Sequence, residues 1–113
     1  MAVRVQAEDF DLGTELAAMR AGRTDIGALV SFTGLVRDDT GDLQALELEH
    51  YPGMTENVLE NIVNQALQRW PLDAVRIIHR IGELHASDQI VLVGVSSAHR
   101  IAAYEASQFI MDI

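Results

Sequence analysis

The chain contains no cysteine, which removes disulfides, thiolate metal sites and cysteine nucleophiles from its chemistry. Lysine is missing as well. All eight basic residues are arginine, so lysine acid/base catalysis and covalent amine chemistry are absent from these 113 positions. No apolar run approaches the roughly 20 residues of a membrane span, and the N-terminus, where Arg4 is followed by acidic residues, lacks the apolar core of a signal peptide. The expectation is a soluble protein of the reducing cytoplasm. A formal net charge of −9 leaves no basic surface for general nucleic-acid binding, so any anion would have to be held locally.

What the chain does have is 49% hydrophobic residues in a length suited to one α+β or α/β domain, 1–113, with a single core. Val3, Val5 and Ala7 alternate as a strand would. Asp11 then offers an N-cap to a helix carrying Leu12, Leu16 and Met19, closed by Gly22. Residues 27–36 form a largely apolar strand running into Gly34, and the polar RDDTGD at 37–42 marks a turn or loop. Residues 43–51 look like a further strand with a solvated acidic face, Glu47 and Glu49. The clearest helix follows Pro52-Gly53: Met54, Val58, Leu59, Ile62, Val63, Ala66, Leu67 and Trp70 make a core stripe, and Pro71 ends it. Residues 74–81 and 89–96 are β-rich runs joined by GELHASD. The order β-α-β-β-α-β-β-α, with hairpin-like local pairs, favours an α+β sheet packed on helices over a doubly wound parallel sheet.

The last seventeen residues, Ser97 to Ile113, carry the strongest functional signal. They read as a helix that opens on His99 and Arg100, although cations are disfavoured in a first turn whose free N–H groups already carry partial positive charge. An anion placed there resolves the conflict, held by the fork of Arg100, by His99 and by the Ser96 and Ser97 hydroxyls. The plainer alternative pairs Arg100 with Glu105 and lets His99 pack. At the other end Ala102, Ala106, Phe109, Ile110 and Ile113 hold one apolar face to the last residue with no cap, and the expectation is that the chain is cut off after Ile113.

Other constellations are weaker. Arg37 sits past the glycine of GLV, where a loop can close over a ligand, yet an arginine before two aspartates also suits local ion pairs. His79-Arg80 repeats the basic pairing, but on a strand its members face opposite sides, so only one can enter a given pocket. His50, His79, His85 and His99, with Glu49 or Glu83, raise a metal alternative, but none has paired ligand spacing and no metal site is expected. Ser96 and Ser97 near His99 imitate a nucleophile and base with no oriented acid to complete them.

The strings FTGLVRDD (32–39), LELEHYPGMTE (46–56), RW (69–70), HRIGEL (79–84), VGVSSAHR (93–100) and AYEASQFIMD (103–112) occur in order and at spacings that together are far more specific than any one of them. In this the chain resembles the large, catalytic subunit of molybdopterin synthase over nearly everything after residue 25. The resemblance implies an α+β fold of the α/β-hammerhead type, with a mixed or antiparallel sheet packed against three main helices. It implies a homodimer at the core of a heterotetramer, with a small ubiquitin-like sulfur-carrier subunit at each end. The substrate would be cyclic pyranopterin monophosphate (precursor Z), and two sulfurs would arrive in turn from the carrier's thiocarboxylated C-terminal Gly-Gly, with no metal or organic cofactor.

Carried over by position, His99 and Arg100 correspond to the family's substrate-anion pair, contributed across the dimer interface. Leu35, Val36 and Arg37 correspond to its substrate-binding loop, with Leu35 standing where some members have a basic residue. Phe32 and Met111 correspond to pocket-lining residues. The family's catalytic lysines follow the segment matched by FIMD, so none is expected among these positions. Two further readings remain at this point: a catalytically silent module binding a pterin phosphate or the sulfur carrier, and an unrelated phosphate-binding domain.

Overall fold

The computed structural model describes residues 2–112, so Ile113 of the expected apolar face lies outside the described residues. The elements run β1 (Val3–Gln6), α1 (Leu12–Arg20), β2 (Ala28–Leu35), β3 (Leu46–Leu48), α2 (Met54–Arg69), β4 (Leu72–Arg80), β5 (Gly82–Leu84), β6 (Gln89–Ser97) and α3 (Arg100–Met111). Four strands form one sheet in the order β1-β4-β6-β2, in which only β1 and β4 are parallel; β3 and β5 form a separate antiparallel pair. This is a mixed α+β fold with three helices.

Strand alternation decides which helix meets which face. Val75 and Ile77 of β4, Val93 and Val95 of β6, and Val3 of β1 are buried with Ile62, Val63 and Ala66 of α2 and with Ala103, Ala106 and Ile110 of α3. Ile78 and Leu92 are buried from the opposite face with Phe10. Each such aliphatic side chain contributes about 1.5–3 kcal/mol by leaving water.

Helix α1 lies on that second face, so close that a Cβ on Gly94 would stand 2.8 Å from Met19 Sδ. Asp11 starts α1 by accepting the Thr14 N–H at 2.9 Å. Glu15 then ties the helix to the sheet, accepting from Arg4 at 2.5 Å and Arg76 at 3.1 Å. These guanidinium contacts, the hydrogen bond from Arg4 foremost, outweigh desolvation and hold the Glu15 carboxyl below its ordinary range.

Three expectations are corrected. The strand expected over 43–51 is ordered as β only at 46–48, because its partner β5 offers just three residues: Leu46 faces Leu84, Glu47 faces Glu83 and Leu48 faces Gly82. GELHASD is therefore more than a connector, and β2 pairs with β6 rather than with its neighbour in sequence. The last helix begins at Arg100, not Ser97, since Ser96 and Ser97 extend β6 between β2 and β4. Both serines are fully buried. Ser97 Oγ donates to the Pro71 carbonyl at 2.8 Å and Ser96 Oγ to Asp73 at 3.3 Å, so neither resembles a poised nucleophile. Among the described residues no helix is long and apolar enough to cross a membrane.

Candidate functional site

Helix α3 has two differently built ends. At the first, His99 is the N-cap residue in extended conformation and makes no side-chain cap, and the first turn contains no acidic residue. The backbone N–H of His99 is held by Ser97 Oγ at 3.1 Å. The N–H groups of the first turn therefore keep their partial positive charge beside an exposed Arg100, which forms no ion pair among the described residues. Glu105, the partner that the plainer reading gave Arg100, instead accepts from Trp70 Nε1 at 3.3 Å.

An open depression of about 490 Å³ lies before this helix end, lined by Gly27, Ala98, His99, Arg100 and Ile101. Gly27 is required by close approach. Its N–H donates to the Ser97 carbonyl at 3.0 Å, and a Cβ there would stand 2.3 Å from the Ala98 carbonyl oxygen. Free donors, a fork-shaped cation and an open front suit a phosphate or carboxylate.

At the other end of α3 the chemistry reverses. Phe32, Leu59, Ile77, His79, Val91, Val93, Ile110 and Met111 line a pocket of about 220 Å³ between the sheet and the ends of α2 and α3. Phe32 and Met111, far apart in sequence, thus share one wall, and both stay partly exposed, at 42% and 38%. Gly34 closes the same wall: a Cβ there would press on Val91 Cγ1 at 2.9 Å and on the Phe32 ring at 3.4 Å. Sequence reasoning did not single out His79 as a site residue. The signal was present in the strand alternation of His79-Arg80. His79 joins the pocket, while Arg80 turns to the opposite side and donates to the Ala7 and Gln89 carbonyls.

Beyond β2, Leu35 is 55% exposed, and Val36 is buried with its N–H and C=O bonded to the Asp88 carbonyl and the Ser87 N–H. Val36 anchors the chain and Arg37 projects from the anchor. The Arg37 side chain is 84% exposed and its Nε lies 3.3 Å from Asp39 Oδ2. Asp38 organises the loop behind it by accepting the N–H groups of Thr40, Gly41 and Leu43.

The histidines are dispersed. His50 Nε2 meets Glu56 at 3.2 Å, His85 Nδ1 donates to the Gln44 carbonyl at 2.9 Å, and among the described residues no group of three or more His, Asp or Glu side chains is arranged to hold a metal. A further cavity, about 420 Å³ between α1, α2 and β4, includes Arg23, Asp73 and Arg76. Its charges are already matched, Arg23 by Asp25 and Asp73 and Arg76 by Glu15.

Within one chain the two ends of α3 do not meet. From Arg100 to Met111 the helix rises about 16 Å, and the flanking strand also keeps the two ends apart. Ala28, at the start of β2, pairs with Ser97, next to the depression, whereas Leu35 pairs with Gln89 at the far end of β6. Between the ends runs an exposed stripe, Ile101, Tyr104, Gln108 and Met111, at i, i+3, i+7 and i+10. Ile101 and Tyr104 are 67% and 64% exposed, more than a solvent-facing helix needs. Helix α3 itself packs on β6 and on β2, the latter an edge strand of the sheet.

The family model described as MoaE protein matches residues 5–113. The chain is 58% identical over 112 residues to a molybdopterin synthase catalytic subunit from Ralstonia nicotianae, with 97% of this chain and 64% of the relative covered. It therefore spans less than two thirds of that relative's length. Among solved structures it is similar to the molybdopterin cofactor biosynthesis protein E of Burkholderia multivorans, with a TM-score of 0.88, 53% identity and coverage of 98% of this chain and 73% of that one. It is also similar to the molybdopterin synthase of Staphylococcus aureus, with a TM-score of 0.87, 33% identity and coverage of 99% and 82%.

Proposed function

The chain belongs to the MoaE protein family, and on that premise we propose that it is the large subunit of a cytoplasmic molybdopterin synthase. It binds cyclic pyranopterin monophosphate and receives the thiocarboxylated C-terminal Gly-Gly of a small ubiquitin-like carrier, whose two sulfurs make the dithiolene of molybdopterin. Because these 113 residues include no lysine, what they supply to that reaction is binding and orientation.

The observation that carries this reading is the split of the site residues between the two ends of α3. His99 and Arg100 form an anion-ready corner; Phe32 and Met111, with Leu35, Val36 and Arg37 beyond them, flank an apolar pocket about one helix length away. A two-fold pairing of chains along the Ile101–Met111 stripe sets one α3 antiparallel to the other. His99 and Arg100 of one chain are then brought beside the Phe32 and Met111 end of its partner. The dimer also covers the exposed Ile101 and Tyr104. Each site then takes its phosphate-binding corner from one subunit and its apolar wall from the other.

Complementation tests this arrangement. Arg100→Glu and Phe32→Asp chains should each, as homodimers, bind precursor Z about tenfold or more weakly by calorimetry. A purified mixed dimer should bind one molecule, because one of its two sites takes both intact halves. A mixed dimer that binds none would overturn the shared site. Equal loss of inorganic phosphate and precursor Z in Arg100→Glu would favour the generic phosphate-binding domain instead.

A further inference from the structure

We propose that His79 is a binding residue for the carrier's C-terminal tail, its Nε2 accepting a backbone N–H of the Gly-Gly segment inside the apolar pocket. The proposal rests on the functional reading above and names the atom that the tail meets.

The ring's tautomer follows from its neighbour. His79 Nδ1 lies 2.8 Å from the Arg80 carbonyl oxygen. A carbonyl only accepts, so Nδ1 carries the proton, and in the neutral ring Nε2 is left as a bare acceptor. Nε2 has no protein partner among the described residues, and it is not sealed away, since Ser107 Oγ is the buried side-chain polar atom without a partner.

The remaining lining side chains, Phe32, Leu59, Ile77, Val91, Val93, Ile110 and Met111, are apolar. One acceptor on an apolar wall selects a ligand that brings one donor. A phosphate there would face a lone pair with no cation, since the Arg80 guanidinium is bonded on the other side of the sheet. A volume of about 220 Å³ is also below the roughly 300–1,000 Å³ of pockets that enclose compact organic ligands. It suits a narrow peptide without side chains, whose N–H groups would lose water on entry and need an acceptor to replace it.

The test is a double-mutant cycle between His79 and the tail, read as calorimetric affinity for the full-length carrier and for a carrier lacking its two terminal glycines. His79→Asn keeps an amide donor for the Arg80 carbonyl and removes the acceptor at the Nε2 position; His79→Gln returns an amide there. His79→Asn should weaken the full-length carrier about fivefold to tenfold and leave the shortened carrier unchanged. His79→Gln should recover affinity for the full-length carrier to within about twofold. Equal weakening of both carriers by His79→Asn, or no weakening of either, would overturn the proposal. Failure of the wild-type chain to bind either carrier would instead overturn the functional reading beneath it.

Discussion

The two ends of α3 use one helix for opposite physical purposes. At the His99 end the backbone donors are open and Arg100 has no ion-pair partner among the described residues, so the recognition proposed there is electrostatic. At the Met111 end the walls are apolar and carry a single acceptor, so recognition depends on shape and on what a ligand loses by leaving water. On the proposed reading, phosphate and tail are held by different groups, because the His99 end offers donors and a cation while the Met111 end offers an acceptor among apolar side chains. The proposed pairing of two chains would recover proximity without mixing the environments.

The largest effect should come from the glycine that lets β2 pass the His99 end. Gly27→Ala places a methyl against the Ala98 carbonyl, which is backbone and cannot swing aside. We expect a loss of about 2–3 kcal/mol in urea unfolding, with anion binding lost along with it. Loss of anion binding with unchanged stability would mean that the close approach matters to the ligand alone.

Arg100→Glu should weaken pterin-phosphate binding about tenfold to a hundredfold, the value of a charge-assisted hydrogen bond, without lowering the melting temperature. A variant that also weakened carrier binding would break the division between the ends. Gly34→Ala is the counterpart at the apolar end. It pushes Val91 and Phe32 into the pocket and should cost about 1–2 kcal/mol in unfolding, while the affinity of the His99 end for inorganic phosphate stays at the wild-type level.

Acid should act on neither end first. Glu15 has a folded pKa below its unfolded value, so its contribution to stability is complete above the unfolded carboxylate range near 4.5 and disappears as pH falls through the folded pKa. Glu15→Gln should flatten that acid limb in chemical denaturation measured at stepped pH. Hydrogen exchange at low pH should open α1 before α3.

The smallest effect is expected midway along α3. Ser107 is buried with its hydroxyl unpartnered among the described residues. Ser107→Ala should raise stability by about 0.5–1 kcal/mol and change binding at neither end.

Much of the framework was legible because it depends on neighbours in the chain. Asp11 capping α1, the stripe of α2 stopped by Pro71, and the apolar alternation of β6 are all patterns that a few consecutive residues set by themselves. The anion-seeking start of α3 belongs with them, since a first turn with arginine and no acid states its need locally. The missed strand β5 is three residues long, too short to show a period, and exists through its pairing with residues about 36 positions earlier. Ser97 falls within the expected helix in sequence but ends β6 in the structure. Its hydroxyl also holds Pro71, across a gap in sequence that no local pattern reveals.

The sequence by itself thus determined the helices, the strand-forming runs, the family and the charge at the start of α3, since each is a matter of residue type and short-range spacing. Only the tertiary structure decided that Phe32, His79 and Met111 share a wall, that Val36 is an anchor, and that the anion corner lies one helix length from that wall. The physical reason is that a pocket is defined by side chains from several strands and helices meeting across the core. Which elements meet is fixed by sheet order and by which face each helix buries, and both depend on the whole chain at once.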